Sequence, residues 1–245
     1  MKPATHPGAP VFDTTRWSVI ASAGSADAVD AGAALESLCT TYWTPVYAYA
    51  RCLGNAPEDA LDLTQGFFEK VIAGNFFAQA DRTRGRFRSF LLTSLKHYIF
   101  KEHARQKAER RGGRVQFVPL EQRRAETTLR IEPVDHASPD KAFDKEWALA
   151  LLDAVMKELE TYYAGQGGAR LFETLQPCLA AGRDRHSYAE LARSTGLSEG
   201  AVKVAVHRMR RRYRELLRRR VADTVDSEAE TEAELRHLLA ALAGK

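Results

Sequence analysis

Residues Ser187–Arg212, SYAELARSTGLSEGAVKVAVHRMRRR, decide the fold of the C-terminal part of this chain. They predict two short helices around a glycine turn. Ser187 and Glu190 stand at capping-box spacing and open a first helix bearing Ala189, Leu191 and Ala192. Gly196 supplies the conformational freedom for a sharp turn, and Leu197 fills the angle between the helices. Ser198 caps the second helix, whose apolar residues Val202, Ala205, Val206, Met209 and Tyr213 recur at helical spacing. Its other face presents Ala201, Lys203, Val204, His207, Arg208 and Arg211. This is the pattern of a helix-turn-helix with a cationic outer face, and it predicts DNA binding.

Charge distribution extends that reading. The 245-residue chain carries a net charge of only +4, with 44% apolar and 28% charged residues, as in a globular protein. The charge is unevenly placed. Residues 82–114 hold 11 Lys/Arg against 2 acids, residues 203–220 hold 9 against 1, and residues 223–234 hold 6 acids and no base. Two separated basic tracts predict two contacts along one polyanion. The cysteines Cys39, Cys52 and Cys178 show no CxxC spacing and read as thiols of a reducing compartment. No histidine pairing of metal-site type occurs, so no metal is expected. The first residues, MKPATHPGAP, lack the apolar core of a signal peptide. No apolar run reaches the roughly 20 residues of a membrane span. A cytoplasmic location and no membrane contact are expected.

Helical periodicity dominates the chain, so an all-α fold is predicted: two helical domains joined by a flexible linker. Residues 1–27 form an N-terminal extension, in which Asp13 opens a short helix bearing Trp17, Val19 and Ile20. The first domain spans 28–111. Leu35, Leu38, Tyr42, Trp43, Val46, Tyr49, Ala50 and Leu53 make one stripe, and Ala60, Leu63, Phe67, Phe68 and Val71 a second. Phe90, Leu91, Leu95, Tyr98 and Ile99 form the inner face of a third, basic helix. Gly112-Gly113 starts a linker, 112–137, with one candidate strand at Val115–Leu120. Ser138-Pro139 restarts helix as cap and first helical residue. It opens the second domain, 138–220, through Phe143, Trp147, Leu151, Val155 and Leu159. An acidic amphipathic helix occupies 221–245. Its Leu235, Leu238, Leu239 and Leu242 require a cover, whether a domain of this chain, a basic tract or another protein.

In this order, DALDLTQGFFEKVI (59–72), FRSFLLTSLKHYIFKEHARQ (87–106) and SYAELARSTGLSEGAVKVAVHRMRRRYREL (187–216) resemble the bacterial RNA polymerase sigma factors of the two-domain, extracytoplasmic-function group. The resemblance covers about 35–114 and 138–217. It implies a factor that binds core RNA polymerase and promoter DNA, makes no covalent chemistry and uses no cofactor. The first domain would recognise the −10 element, the second the −35 element, and the linker would pass through the polymerase cleft.

The resemblance also distributes roles. Asp59, Asp62 and Gln65, on one side of their helix, would dock on the polymerase clamp. The loop 75–86 and the following helix start would capture a base flipped from the duplex, with Phe76, Phe77 and Phe87 as aromatic candidates, at least one of which is expected to pack in the core instead. Lys96, His97, Lys101, Arg105 and Lys107 would face the −10 strand. In the second domain Lys203, Val204, His207 and Arg208 would reach base edges. Arg211 and its neighbours Arg210, Arg212 and Arg214 would hold phosphates.

Relatives carry more acid in the docking segment than this chain, which has Leu61 and Gly66 where Glu is common. Thr64 lies among the remaining acids, and a phosphoryl group would add about −1.5 to −2 charges there. Activation by a Ser/Thr kinase at Thr64 is therefore one expectation; control by an anti-sigma factor is another. The alternative to an initiation factor is a free-standing helix-turn-helix regulator, which leaves the first basic helix unused. A helical nuclease would need a metal-binding cluster, and Asp59, Asp62 and Glu69 form only an exposed row. No enzymatic activity is expected.

Overall fold

The computed structural model describes residues 29–73, 86–111, 138–180 and 187–244, without the side chains of 29–35, 37, 107–111 and 180. Among these residues every regular element is a helix, in agreement with the all-α expectation. In chain order they are α1 (Val29–Cys52), α2 (Pro57–Ala73), α3 (Phe87–Arg111), α4 (Pro139–Gly165), α5 (Ala169–Leu175), α6 (Pro177–Ala180), α7 (Tyr188–Thr195), α8 (Glu199–Ala222) and α9 (Glu228–Leu242). Trp17, Val19, Ile20, the Leu35 side chain, Phe76, Phe77 and the candidate strand Val115–Leu120 lie outside the described residues. No described helix is long and apolar enough to cross a membrane.

The chain forms two compact units, Met1–Ala150 with Ala222–Lys245, and Leu151–Val221. The division differs from the segments expected above, because it places the start of α4 and all of α9 with the N-terminal helices. Local chemistry explains this. Phe143 of α4 is fully buried beside Tyr42, with ring centroids 6.4 Å apart. Trp147 lies beneath the Arg88 guanidinium, 5.1 Å from its ring. From α9, Glu234 is 1% exposed, and its Oε1 accepts a 2.8 Å hydrogen bond from Arg88 Nε.

The core of the first unit is aromatic. Trp43 stacks on Phe68 at 5.5 Å, Tyr42 meets Phe87 edge-on at 5.6 Å, and Phe67 lies 5.7 Å from Tyr98. Phe87 is completely buried and is a core residue, not a free ring for a flipped base. The caps read from sequence at Ser138 form: its Oγ accepts from Lys141 N at 3.4 Å. A cap not foreseen opens α9, where Ser227 Oγ accepts from Glu230 N and Glu230 Oε2 accepts from Asp226 N, at 3.2 and 2.9 Å.

The buried face of α9 is Thr231, Glu234, Leu238 and Ala241. Leu239, expected inside, is 65% exposed. The acidic helix is therefore covered within the first unit, through a carboxylate as much as through leucines. Arg88 is also paired with Asp144 of α4, Arg86 with Glu234 at 2.8 Å, and Asp144 with His237 at 2.8 Å. Burial works against the Arg88 charge, but hydrogen bonds to Glu234 and the field of both carboxylates outweigh it.

The second unit packs Val155, Leu159, Phe172, Leu175, Cys178, Val202, Val206, Met209 and Leu216 into one core. Gly196 ends α7 in the left-handed conformation at φ 71°, as the turn requires. Ser198 caps α8, its Oγ accepting from Ala201 N at 3.2 Å. The expected capping box at Ser187 does not form. Its side chain makes no cap bond, and the Glu190 and Leu191 amides donate to the Ser187 carbonyl, each at 3.1 Å.

Candidate nucleic-acid interface

Helical register decides which side chains of α3 face outward. Ser89, Thr93, Lys96, His97, Phe100, Lys101, Ala104 and Arg105 are all exposed. They recur at steps of three, four and one, forming a single stripe opposite Leu91, Leu95 and Ile99, which are buried. The stripe contains no carboxylate. It brings Lys96, His97, Lys101 and Arg105 together as expected; Lys107 belongs to the same helix, with its side chain outside the described residues.

Two of these cations already have partners. Lys96 Nζ donates to Asp140 Oδ2 at 2.7 Å, and that bond raises the lysine pKa despite some desolvation. Arg105 bonds Glu102 at 2.9 Å. Both side chains remain well exposed, and ion pairs of this kind are worth at most about 1 kcal/mol, so a polyanion can displace them. Sequence reasoning assigned no role to Phe100, which is 76% exposed in the middle of the stripe. The register of α3 alone was the available signal, since residue 100 follows Lys96 by one turn.

On α8 the outward residues are those expected: Ala201, Lys203, Val204, His207, Arg208 and Arg211 are all exposed. Lys203 Nζ sits 5.5 Å over the Tyr188 ring of α7, a cation–π contact that steers the ammonium across the turn. Val204 is 49% exposed and gives this face an apolar centre. Arg211 pairs with Glu215 at 2.8 Å on the surface. The neighbouring arginines are used differently from the expectation. Arg210 donates from Nε and Nη2 to the Cys178 carbonyl in the last turn of α6, at 3.2 and 2.7 Å. Arg212 lies 4.8 Å over Tyr162. Arg210 thus serves the internal packing of the second unit, whereas the Arg212–Tyr162 contact lies on its surface.

The third group is on α2. Asp59, Asp62 and Gln65 are exposed on one side, with Gln65 Nε2 donating to Glu69 at 3.0 Å. Gly66 has a structural reason to lack a side chain, because a Cβ there would collide with Tyr98 Oη. Burial pushes the Tyr98 pKa up, and its ring receives Lys70 Nζ at 4.5 Å. Lys70 also bonds Glu102 at 3.1 Å. Thr64 is a correction. It is 0% exposed, and its hydroxyl donates to the Ala60 carbonyl at 2.7 Å. It lies on the inner face of α2, not among the acids, and offers a kinase no accessible hydroxyl.

Among the described residues no group of His, Cys, Asp and Glu is placed to hold a metal ion. Neither a family model, nor a curated protein, nor a solved structure matches this chain.

Proposed function

We propose that this chain is a transcription initiation factor of the sigma type, binding core RNA polymerase and reading two promoter elements. The observation that carries the proposal is the pair of outward faces, one in each compact unit, that hold cations and no carboxylate: the α3 stripe and the 201–211 face of α8. Polyanion binding by such faces is driven by counterion release and is steep in salt.

In this reading α7 and α8 act as a helix-turn-helix on the −35 element. Lys203 and Arg208 donate to base edges, guanine being the commonest partner, and Val204 meets a thymine methyl. Arg211 exchanges its surface bond to Glu215 for a phosphate. The α3 stripe faces the −10 strand. Asp59, Asp62 and Gln65 dock on a basic surface of the polymerase. The chain supplies binding energy and position, and the polymerase supplies the chemistry.

Run-off transcription with core polymerase on a randomised promoter library tests this. The expected result is a product that requires the chain, from templates sharing two spaced elements. Lys203→Ala or Arg208→Ala should lose preference at single −35 positions, each contact being worth about 1–3 kcal/mol. Sequence-specific DNA binding without run-off product or co-purification with polymerase would instead establish an operator-binding regulator.

A further inference from the structure

We infer that Arg86 and Arg88 form a binding site for a DNA backbone phosphate, which Glu234 of α9 occupies in the free chain. The site adds to the α3 stripe and rests on the reading that α3 faces DNA. Both guanidiniums hold the Glu234 carboxylate. Its Oε1 accepts from Arg88 Nε at 2.8 Å, and its Oε2 lies 2.8 Å from Arg86 Nη1 and 3.5 Å from Arg88 Nη2. Guanidinium forks take carboxylate and phosphate in the same geometry, so this carboxylate holds the place of a phosphate.

Register ties the site to the cationic stripe. Phe90 N donates to the Arg86 carbonyl at 3.1 Å, so Arg86 already follows the turn of α3. Standing three residues before Ser89, it continues the line of Ser89, Thr93 and Lys96 toward the helix start. Its side chain is 27% exposed and open to an approaching strand. A backbone that follows Lys101 and Lys96 along α3 reaches Arg86 next.

The docking of α9 suits a cover that can be exchanged. Its buried residues are Thr231, Glu234, Leu238 and Ala241, with a single leucine among them, and Leu239 is 65% exposed. The carboxylate therefore carries much of the contact, and a competing anion attacks it directly. Asp144 of α4 stays on Arg88 when α9 leaves. The closed network sets two guanidiniums against two carboxylates, and the open one has one positive charge in excess, which a phosphate neutralises. Phosphate binding and α9 docking exclude each other here, and each weakens the other by the same factor.

The test follows α9 by hydrogen exchange in the full chain at low salt, alone and with saturating mixed-sequence duplex DNA. Backbone binding is independent of sequence, so no promoter is needed. DNA should speed exchange of the α9 amides by about fivefold or more. Unchanged or slower exchange there overturns the inference. In anisotropy titrations with the same duplex, Glu234→Gln should bind at least about fivefold more tightly than the parent. The variant Glu228→Gln/Glu232→Gln keeps Glu234 and, with surface charges screened, should stay within about twofold of the parent. An equal rise in both variants assigns the effect to overall charge and overturns the inference. Adding Arg86→Ala to Glu234→Gln should make the salt dependence shallower by about 0.9, the share of one phosphate. The exchange measurement needs no substitution, so it decides even where Glu234→Gln fails to fold. Run-off transcription by the parent chain separates the two proposals. Release of α9 by DNA without transcription removes the initiation role and leaves the site. Transcription with α9 unmoved by DNA removes the site and leaves the role.

Discussion

Replacing Glu234 with leucine should destabilise the first unit by about 3 kcal/mol. Glu234 is 1% exposed and Arg88 6% exposed, so neither charge is offset by water. Removing one partner of a buried ion pair typically costs about 3–5 kcal/mol, chiefly because the other charge stays behind unpaired. Here Asp144 still faces Arg88, which places the expected loss at the lower end. The assay is urea unfolding followed by tryptophan emission. Trp43 and Trp147 both lie in the first unit, and residues 151–221 contain no tryptophan, so the signal reports the unit of interest. With a urea dependence of about 1–3 kcal/mol per molar, the midpoint should fall by about 1–3 M. The companion variant Arg88→Met/Glu234→Leu removes both charges and should regain most of the loss, with a coupling energy of about 2 kcal/mol or more. A midpoint shift worth less than about 0.5 kcal/mol for Glu234→Leu, or strict additivity of the two substitutions, refutes the reasoning. It would mean that α9 is held by its apolar contacts alone.

The contact between Gly66 and Tyr98 makes a prediction whose sign depends on background. Gly66→Ala should cost about 1 kcal/mol or more by crowding the tyrosine hydroxyl. In a Tyr98→Phe background the same change should stabilise by about 0.5–1 kcal/mol, since alanine is the better helix former; urea midpoints of the four proteins decide it. The tie between α2 and α3 should show in acid. Burial tends to raise the Glu102 carboxyl, but hydrogen bonds from Lys70 and Arg105 overcome this and hold it below its ordinary value. Its contribution is therefore complete above about pH 4.3 and is lost as pH falls through the lowered value in the folded state. Lys70 is 62% exposed, which limits the effect to about 1 kcal/mol. The parent should lose slightly more stability than Lys70→Met between pH 6 and 3, and identical losses would refute the assignment.

Local signals served well where the decision was local. Gly196 and Ser198 turn and cap as read, and the buried stripe Val202, Val206 and Met209 follows from spacing alone. Ser187 failed because its backbone carbonyl takes the amides that its hydroxyl was expected to share. Thr64 failed for a related reason. Its position in the sequence lies among acids, but one step along a helix rotates a side chain by about 100°, and its hydroxyl faces inward to Ala60.

The sequence by itself determined the helical fold, the Gly196 turn and the outward cations of α3 and α8, because periodicity and capping act over a few residues. Only the tertiary structure decided what covers the acidic helix. Arg88 and Glu234 are 146 residues apart, and neither carries a local mark of its partner. The same holds for Phe87 and Phe100, two phenylalanines of one helix, of which the first is buried against Tyr42 and the second stands in solvent. Composition cannot separate them. The packing of α1 and α4 on one side of α3 does.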